Sequence, residues 1–103
     1  MKIVRSIAGV PIRLTTERLN HIARRHPEMA DQEGKILETI TSPDCVQEGD
    51  SGTLVAVKSY PKTPVSQKFC AVVYRQVNEN DGFVVTAYFT SRPASWRRMI
   101  WKR

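Results

Sequence analysis

The sequence predicts an α+β domain in which N-terminal helices pack on an antiparallel sheet of about four strands. Three observations lead there. Apolar residues between positions 17 and 40 recur at helical spacing. Segments after position 54 alternate at strand spacing and are separated by turn residues. The order, helices first and strands after, groups the helices on one face of the sheet. A chain of 103 residues is read as a single domain, because a second independent core is hard to build from that length.

The chain opens on an extended lead-in, Ile3 and Val4, then Val10, Ile12 and Leu14, interrupted at Gly9–Pro11. Thr15 or Thr16 caps a helix, with Glu17 in the first turn, where a carboxylate meets the positive end of the helix dipole. That helix runs from about Glu17 to Arg25 or His26, carries Leu19, Ile22 and Ala23 as its apolar stripe, and exits at Pro27. A second helix is expected from about Asp31 to Ile40 on the spacing of Ile36, Leu37 and Ile40, and Ser42–Pro43 ends it.

Cys45–Gln47 reads as a short strand, Asp50-Ser51-Gly52 as a turn, and Leu54–Tyr60 as a loosely alternating strand. Pro61 and Pro64 make the next stretch a loop, since proline cannot donate to an interior ladder. Phe69–Val77 alternates well, with Ala71, Val73 and Arg75 opposite Val72, Tyr74 and Gln76. A hairpin connection from Asn78 to Gly82 leads into Phe83–Phe89. There Val84, Thr86, Tyr88 and Thr90 share one face, and Val85, Ala87 and Phe89 form the core face. Met99–Trp101 has room for a terminal strand, with Ile100 as core.

Sixteen Lys and Arg against ten Asp and Glu give a net charge of +6. On so small a domain that excess attracts phosphate backbones or other anionic surfaces. Cys45 and Cys70 lie far apart and away from metal-ligand spacing, so they read as two reduced, buried thiols. The opening residues do not have the pattern of a signal peptide, and no apolar run approaches membrane-spanning length. The expectation is a cytoplasmic protein with no membrane role.

Candidate chemistry concentrates in His21-Ile22-Ala23-Arg24-Arg25-His26-Pro27-Glu28. His21 and Arg25 are four apart and leave a helix in the same direction, while Arg18 and Arg24 flank His21 at three residues on either side. Imidazole titrates nearest neutrality of all side chains. Neighbouring cations favour its neutral form and a bound phosphate favours its charged form, which suits proton transfer during RNA cleavage. His26, at the helix exit, equally fits a structural residue bonded to backbone carbonyls.

The late strand adds two hydroxyls, Thr86 and Tyr88, that can hold a phosphate or orient a reacting 2'-hydroxyl. Tyr74 and Arg75, across the hairpin, add a ring and a cation. The tail from Ser91 to Arg103 mixes Arg97, Arg98 and Lys102 with Trp96 and Trp101. Basic and aromatic side chains so interleaved can neutralise phosphates and stack on unpaired bases. At least one of the two tryptophans is expected to be structural.

The sequence has no glycine-rich nucleotide loop, no histidine pair at metal-ligand spacing and no serine elbow. Its carboxylates are scattered, whereas a metal-dependent nuclease wants them clustered. No metal or cofactor is therefore expected. Metal-free chemistry on RNA has its nucleophile in the substrate's 2'-hydroxyl and needs only a base, an acid and cations around the phosphate.

These residues resemble the small phage and bacterial nuclease-like domains of the superfamily that joins barnase, EndoU, the tRNA-cleaving colicins and RelE. The resemblance lies in Leu14-Thr15-Thr16-Glu17-Arg18-Leu19-Asn20-His21-Ile22, in Arg25-His26-Pro27-Glu28-Met29, in Thr39-Ile40 with Pro43-Asp44, in Val84-Val85-Thr86-Ala87-Tyr88 and in Ile100-Trp101-Lys102. Leu19 departs from the aromatic often found at its position. The resemblance implies helices on a four-stranded antiparallel sheet and metal-independent endoribonuclease activity, in some members as the toxin of a toxin–antitoxin pair. It places His21, Arg25 and Thr86 at the site, with His26 and Tyr88 matching further motif positions.

The expected function is thus RNA cleavage, with His21 moving the proton, Arg25 and Arg18 stabilising the phosphate, and Thr86 and Tyr88 positioning it. Arg24, Tyr74, Arg75, Arg97, Arg98 and Lys102 complete the substrate-binding set. The alternatives are a noncatalytic basic RNA-binding protein on the same face, and an interaction module for an acidic antitoxin or immunity protein. The oligomeric state is left open.

Overall fold

The computed structural model describes residues 1–103 as a seven-stranded mixed sheet with two helices on one face. The strands are β1 (Lys2–Arg5), β2 (Pro11–Leu14), β3 (Cys45–Glu48), β4 (Leu54–Ser59), β5 (Phe69–Asn78), β6 (Asp81–Thr90) and β7 (Met99–Lys102). The helices are α1 (Thr16–Arg25) and α2 (Glu33–Thr41), with a single 3-10 turn at Pro27–Met29 between them. The sheet order is β1-β2-β6-β5-β4-β3-β7. The expected four-stranded antiparallel sheet is therefore corrected: three further strands join it, and one pairing is parallel.

Two of the added strands come from the lead-in. β1 and β2 form an antiparallel hairpin, Lys2 opposite Leu14 through Arg5 opposite Pro11. The turn between them closes through Ser6 N–H donating to the Val10 carbonyl and Gly9 N–H donating to the Ser6 carbonyl. Gly9 sits at φ +81°, a conformation that favours glycine. Pro11 is tolerated because it is the first residue of its strand. The third strand beyond the four, β7, forms where the sequence has room for one at Met99–Trp101, and pairs with β3. β2 runs parallel to β6 for two residues only, Ile12 beside Gly82 and Arg13 beside Phe83.

α1 begins where β2 ends. The Thr15 hydroxyl accepts from Arg18 N–H at 3.0 Å, and Glu17 lies in the first turn. Arg24 and Arg25 occupy the last turn, where cations complement the negative end of the dipole. Helices of 10 and 9 residues are marginal alone in water, so packing holds them. Ile22, Met29, Ile36 and Ile40 are wholly buried against Ile12, Leu14, Val72, Tyr74, Val84 and Ala87. Burying those four side chains contributes about 6–12 kcal/mol of transfer free energy before the ordering entropy is counted.

The opposite face of the sheet carries no helix. Its own small cluster, Cys45, Val55, Val57 and Ala71 with Phe69, Val73 and Tyr88 packed around it, comes entirely from strands. Part of this face is crossed by the segment from Ser91 to Arg98. That segment is tied down where Gln47 Nε2 donates to the Ala94 carbonyl at 2.7 Å and Glu48 N–H donates to the Arg98 carbonyl at 2.9 Å. No helix of the structure is long and apolar enough to cross a membrane. Both cysteines are free and buried, Cys45 on the uncovered face and Cys70 in the main core. Burial pushes the Cys70 thiol up to about 11.

Candidate functional site

β6 departs from simple alternation, and the departure shapes the site. Val73 of β5 pairs with Thr86, but the next residue, Tyr74, pairs with Val84, so Val85 is an extra residue in β6. Such a bulge flips the faces on either side of it. Val84 is consequently buried in the main core with Ala87 and Phe89, not on the face of Thr86, Tyr88 and Thr90 as strict alternation predicts.

The same bulge lies where β6 has no strand on one side. β2 stops pairing after Arg13 and Phe83, and α1 packs beside the strand instead. Arg18 Nη1 donates to the Val85 carbonyl at 3.3 Å, tying the helix to the bulge. A cleft of about 260 Å³ opens there, lined by Arg18, His21, Arg25, His26, Val85 and Thr86. Helix spacing explains the first three, since residues 18, 21 and 25 lie on one side of α1. Thr86, on the face of Tyr88 and Thr90 as alternation predicts, lines the cleft beside the bulged Val85.

His26 caps the C-terminus of α1: its backbone N–H donates to the Ile22 carbonyl at 2.7 Å, and its carbonyl accepts from Met29. Its ring faces Glu28, with Nδ1 3.5 Å from a carboxylate oxygen. The ring also lies 5.8 Å, centroid to centroid, from Tyr88. The cap bonds are main-chain ones and the imidazole bonds no backbone carbonyl; the ring instead faces Glu28 and Tyr88 and lines the cleft. Arg24 lies around the helix from this cleft, with Arg18 and His21 in a shallow groove of about 540 Å³ that also includes Glu17 and Asn20. His21 and Arg18 belong to both depressions.

The structure thus brings together His21, Arg25, His26, Arg18 and Thr86 around one cleft, with Tyr88 against His26 and Arg24 nearby. The other substrate-binding residues expected from sequence lie elsewhere. Tyr74 is fully buried beneath the helices, out of reach of any ligand. Its hydroxyl has no hydrogen-bond partner, and burial pushes its pKa up to about 12. Arg75 is directed away from the cleft: its Nη2 donates to the Ser51 carbonyl at 2.6 Å.

The tail cations are engaged with acidic neighbours. Arg97 bonds both carboxylate oxygens of Asp50 and the Glu48 carbonyl, and stacks at 4.2 Å over the exposed Trp96 ring. Arg98 pairs with the Glu48 carboxylate at 3.0 Å. Lys102 lies on β7, the edge strand farthest from the hairpin, opposite Cys45. Of the two tryptophans, Trp101 packs on the main core and Trp96 is 73% exposed. Ile100, expected in the core, is exposed.

One group that the sequence reading passed over is Gln47, 2% exposed on β3. Its signal was a polar amide inside an apolar strand, a placement that calls for a partner. Comparison of the chain with protein-family models, with curated proteins and with solved structures found no match.

Proposed function

We propose that this chain is a metal-independent endoribonuclease whose working cleft lies between α1 and the bulge of β6. The observation that carries the reading is the lining of that cleft: two imidazoles, two guanidiniums and a hydroxyl, with no carboxylate among the six residues. A phosphodiester fits this chemistry. Arg18 and Arg25 offer planar donors to the phosphate oxygens. His21 takes the proton from the ribose 2'-hydroxyl or delivers one to the leaving 5'-oxygen, and His26 is the second imidazole within the same space. Thr86 donates to a phosphate oxygen and fixes its orientation. The reading rests on the cleft and not on overall architecture, because the sheet differs from the one the resemblance implies.

The test is cleavage of a mixed single-stranded RNA pool with chelator present, followed by analysis of product ends. A 2',3'-cyclic phosphate is expected, and a single 2'-deoxy substitution at the cleaved position should abolish cleavage while leaving binding in place. RNA bound but never cut would favour a noncatalytic binding protein. Failure to bind RNA at all would favour an acidic protein partner for the same cations.

A further inference from the structure

We propose that the Phe83 ring, with the Arg13 guanidinium over it, is a stacking platform for the nucleobase next to the phosphate in the cleft; this rests on the ribonuclease reading of that cleft. The pair lines a depression of about 170 Å³ together with Thr15, Arg18 and Val84. Arg18 also lines the cleft, so the depression and the cleft adjoin through one side chain. Phe83 precedes Thr86 by three residues on β6, a span of about 10 Å at most. That distance is within reach of the nucleotide next to a phosphate held at Thr86.

Phe83 is set apart from the other phenylalanines. Phe69 and Phe89 pack in or against the hydrophobic clusters on the two faces of the sheet, and Phe83 belongs to neither. It is half-buried, and its neighbour is a cation: the Arg13 guanidinium carbon lies over the ring, 5.5 Å from its centroid. A ring so placed adds little to the core and keeps apolar surface that a ligand can cover.

The charges around the ring select the occupant. Arg13 is ion-paired with Asp81, so its charge is already met and a phosphate gains little there. What remains is flat: an aromatic ring and a guanidinium plane, the two surfaces on which unpaired bases stack. Arg18 has the opposite character. It belongs to none of the ion pairs of the chain. Its Nη1 is held by the Val85 carbonyl, and its other N–H groups can meet a phosphate where the strand passes from depression to cleft. A phosphate at Arg18 and a base at Phe83 follow each other as they do along a single strand. Stacking reads no base edge, so the platform takes any of the four bases.

The test uses short single-stranded oligoribonucleotides made uncleavable by one 2'-deoxy sugar at the cleaved position, with a single abasic nucleotide moved along the positions beside it. At one of those positions the missing base is expected to weaken binding to wild-type protein at least about fivefold, the lower end of what stacking one base supplies. Phe83→Leu should weaken the intact oligomer by a similar factor and bind the abasic one like wild type, because the two changes remove the same contact. Phe83→Tyr, which keeps the ring, should retain the full abasic penalty. The ring-proton resonances of Phe83 in wild-type protein should move with the intact oligomer and stay in place with the abasic one; if Phe83→Leu does not fold, these resonances decide. A flat abasic scan, unmoved Phe83 resonances, or a penalty kept in folded Phe83→Leu would overturn the platform and leave the ribonuclease reading standing. No binding of any oligomer would overturn both.

Discussion

His21 and His26 are both at the cleft, but they are held differently. His21 projects from the middle of α1 and makes no hydrogen bond that the fold depends on. The His26 ring faces Glu28 and lies against Tyr88, contacts that alanine would lose. His21→Ala is therefore expected to leave folding and RNA affinity nearly intact and to lower single-turnover cleavage by about 10²-fold or more, the scale of general acid–base catalysis. His26→Ala should lower the melting temperature more than His21→Ala does. Folded His21→Ala that cleaves like wild type would remove His21 from the mechanism. Tyr74 gives a second residue-level prediction. Its hydroxyl is buried without a partner, so Tyr74→Phe should raise stability by about 1–3 kcal/mol in urea titrations, and a loss of stability would show that the hydroxyl is satisfied.

Asp44 supplies the pH dependence. Burial pushes its carboxyl up, but donation from Ser59, Arg103 at 3.0 Å and the nearby Lys58 outweigh that, and the carboxyl stays below its ordinary 3.8. A lowered folded-state value means that the stabilisation is complete above 3.8 and is lost as pH falls through the folded-state value. Urea midpoints should therefore decline more steeply for wild type than for Asp44→Asn between about pH 4 and pH 2. Parallel declines would assign acid sensitivity to other carboxylates.

At the scale of elements, the β2–β6 contact is where the helix-bearing half joins the hairpin, and Gly82 permits it. A Cβ there would lie 2.5 Å from Ile12 Cδ1 and 2.7 Å from the Arg75 carbonyl. Backbone on one side cannot yield, so Gly82→Ala should cost about 1–3 kcal/mol and show as a lowered urea midpoint; a wild-type midpoint would mean that Ile12 repacks freely. This contact also marks the limit of what the sequence shows. α1, α2, β5 and most of β6 were legible because each carries its own periodicity and punctuation. The pairings of β1, β2 and β7 were not, because strands of four residues carry little periodicity and their partners lie tens of residues away. His21 and Arg25 were legible as neighbours from their spacing of four on a helix, and the folded chain sets Thr86 at the same cleft. The bulge that turns Val84 into the main core has no local signal: Val84-Val85-Thr86 reads as regular strand until Tyr74 is seen to pair with Val84 and Val73 with Thr86. Arg97 and Arg98 looked available because only the folded chain sets Asp50 and Glu48 beside them.

For the whole molecule, the position of charge matters more than its total. Five of the 16 cations, Lys2, Arg13, Arg97, Arg98 and Arg103, form ion pairs with carboxylates. Arg18, Arg24 and Arg25 form none, and all three are on α1 at the cleft or its adjoining groove. A polyanion gains most where cations are not already neutralised, so the field that guides RNA should centre on α1 rather than on the basic tail. RNA affinity is then expected to fall steeply with salt, because each phosphate contact releases counterions. Replacing Arg24 and Arg25 together by Gln should reduce the slope of log affinity against log salt by about 1.4, on the basis of ~0.7 per contact for a single strand. Replacing Arg97 and Arg98 by Gln should change the slope far less, since it removes cations already shared with Asp50 and Glu48. Measuring the two double variants across one salt series on the same uncleavable RNA decides between them. A larger loss from the tail variant would move the binding face to the tail and detach it from His21.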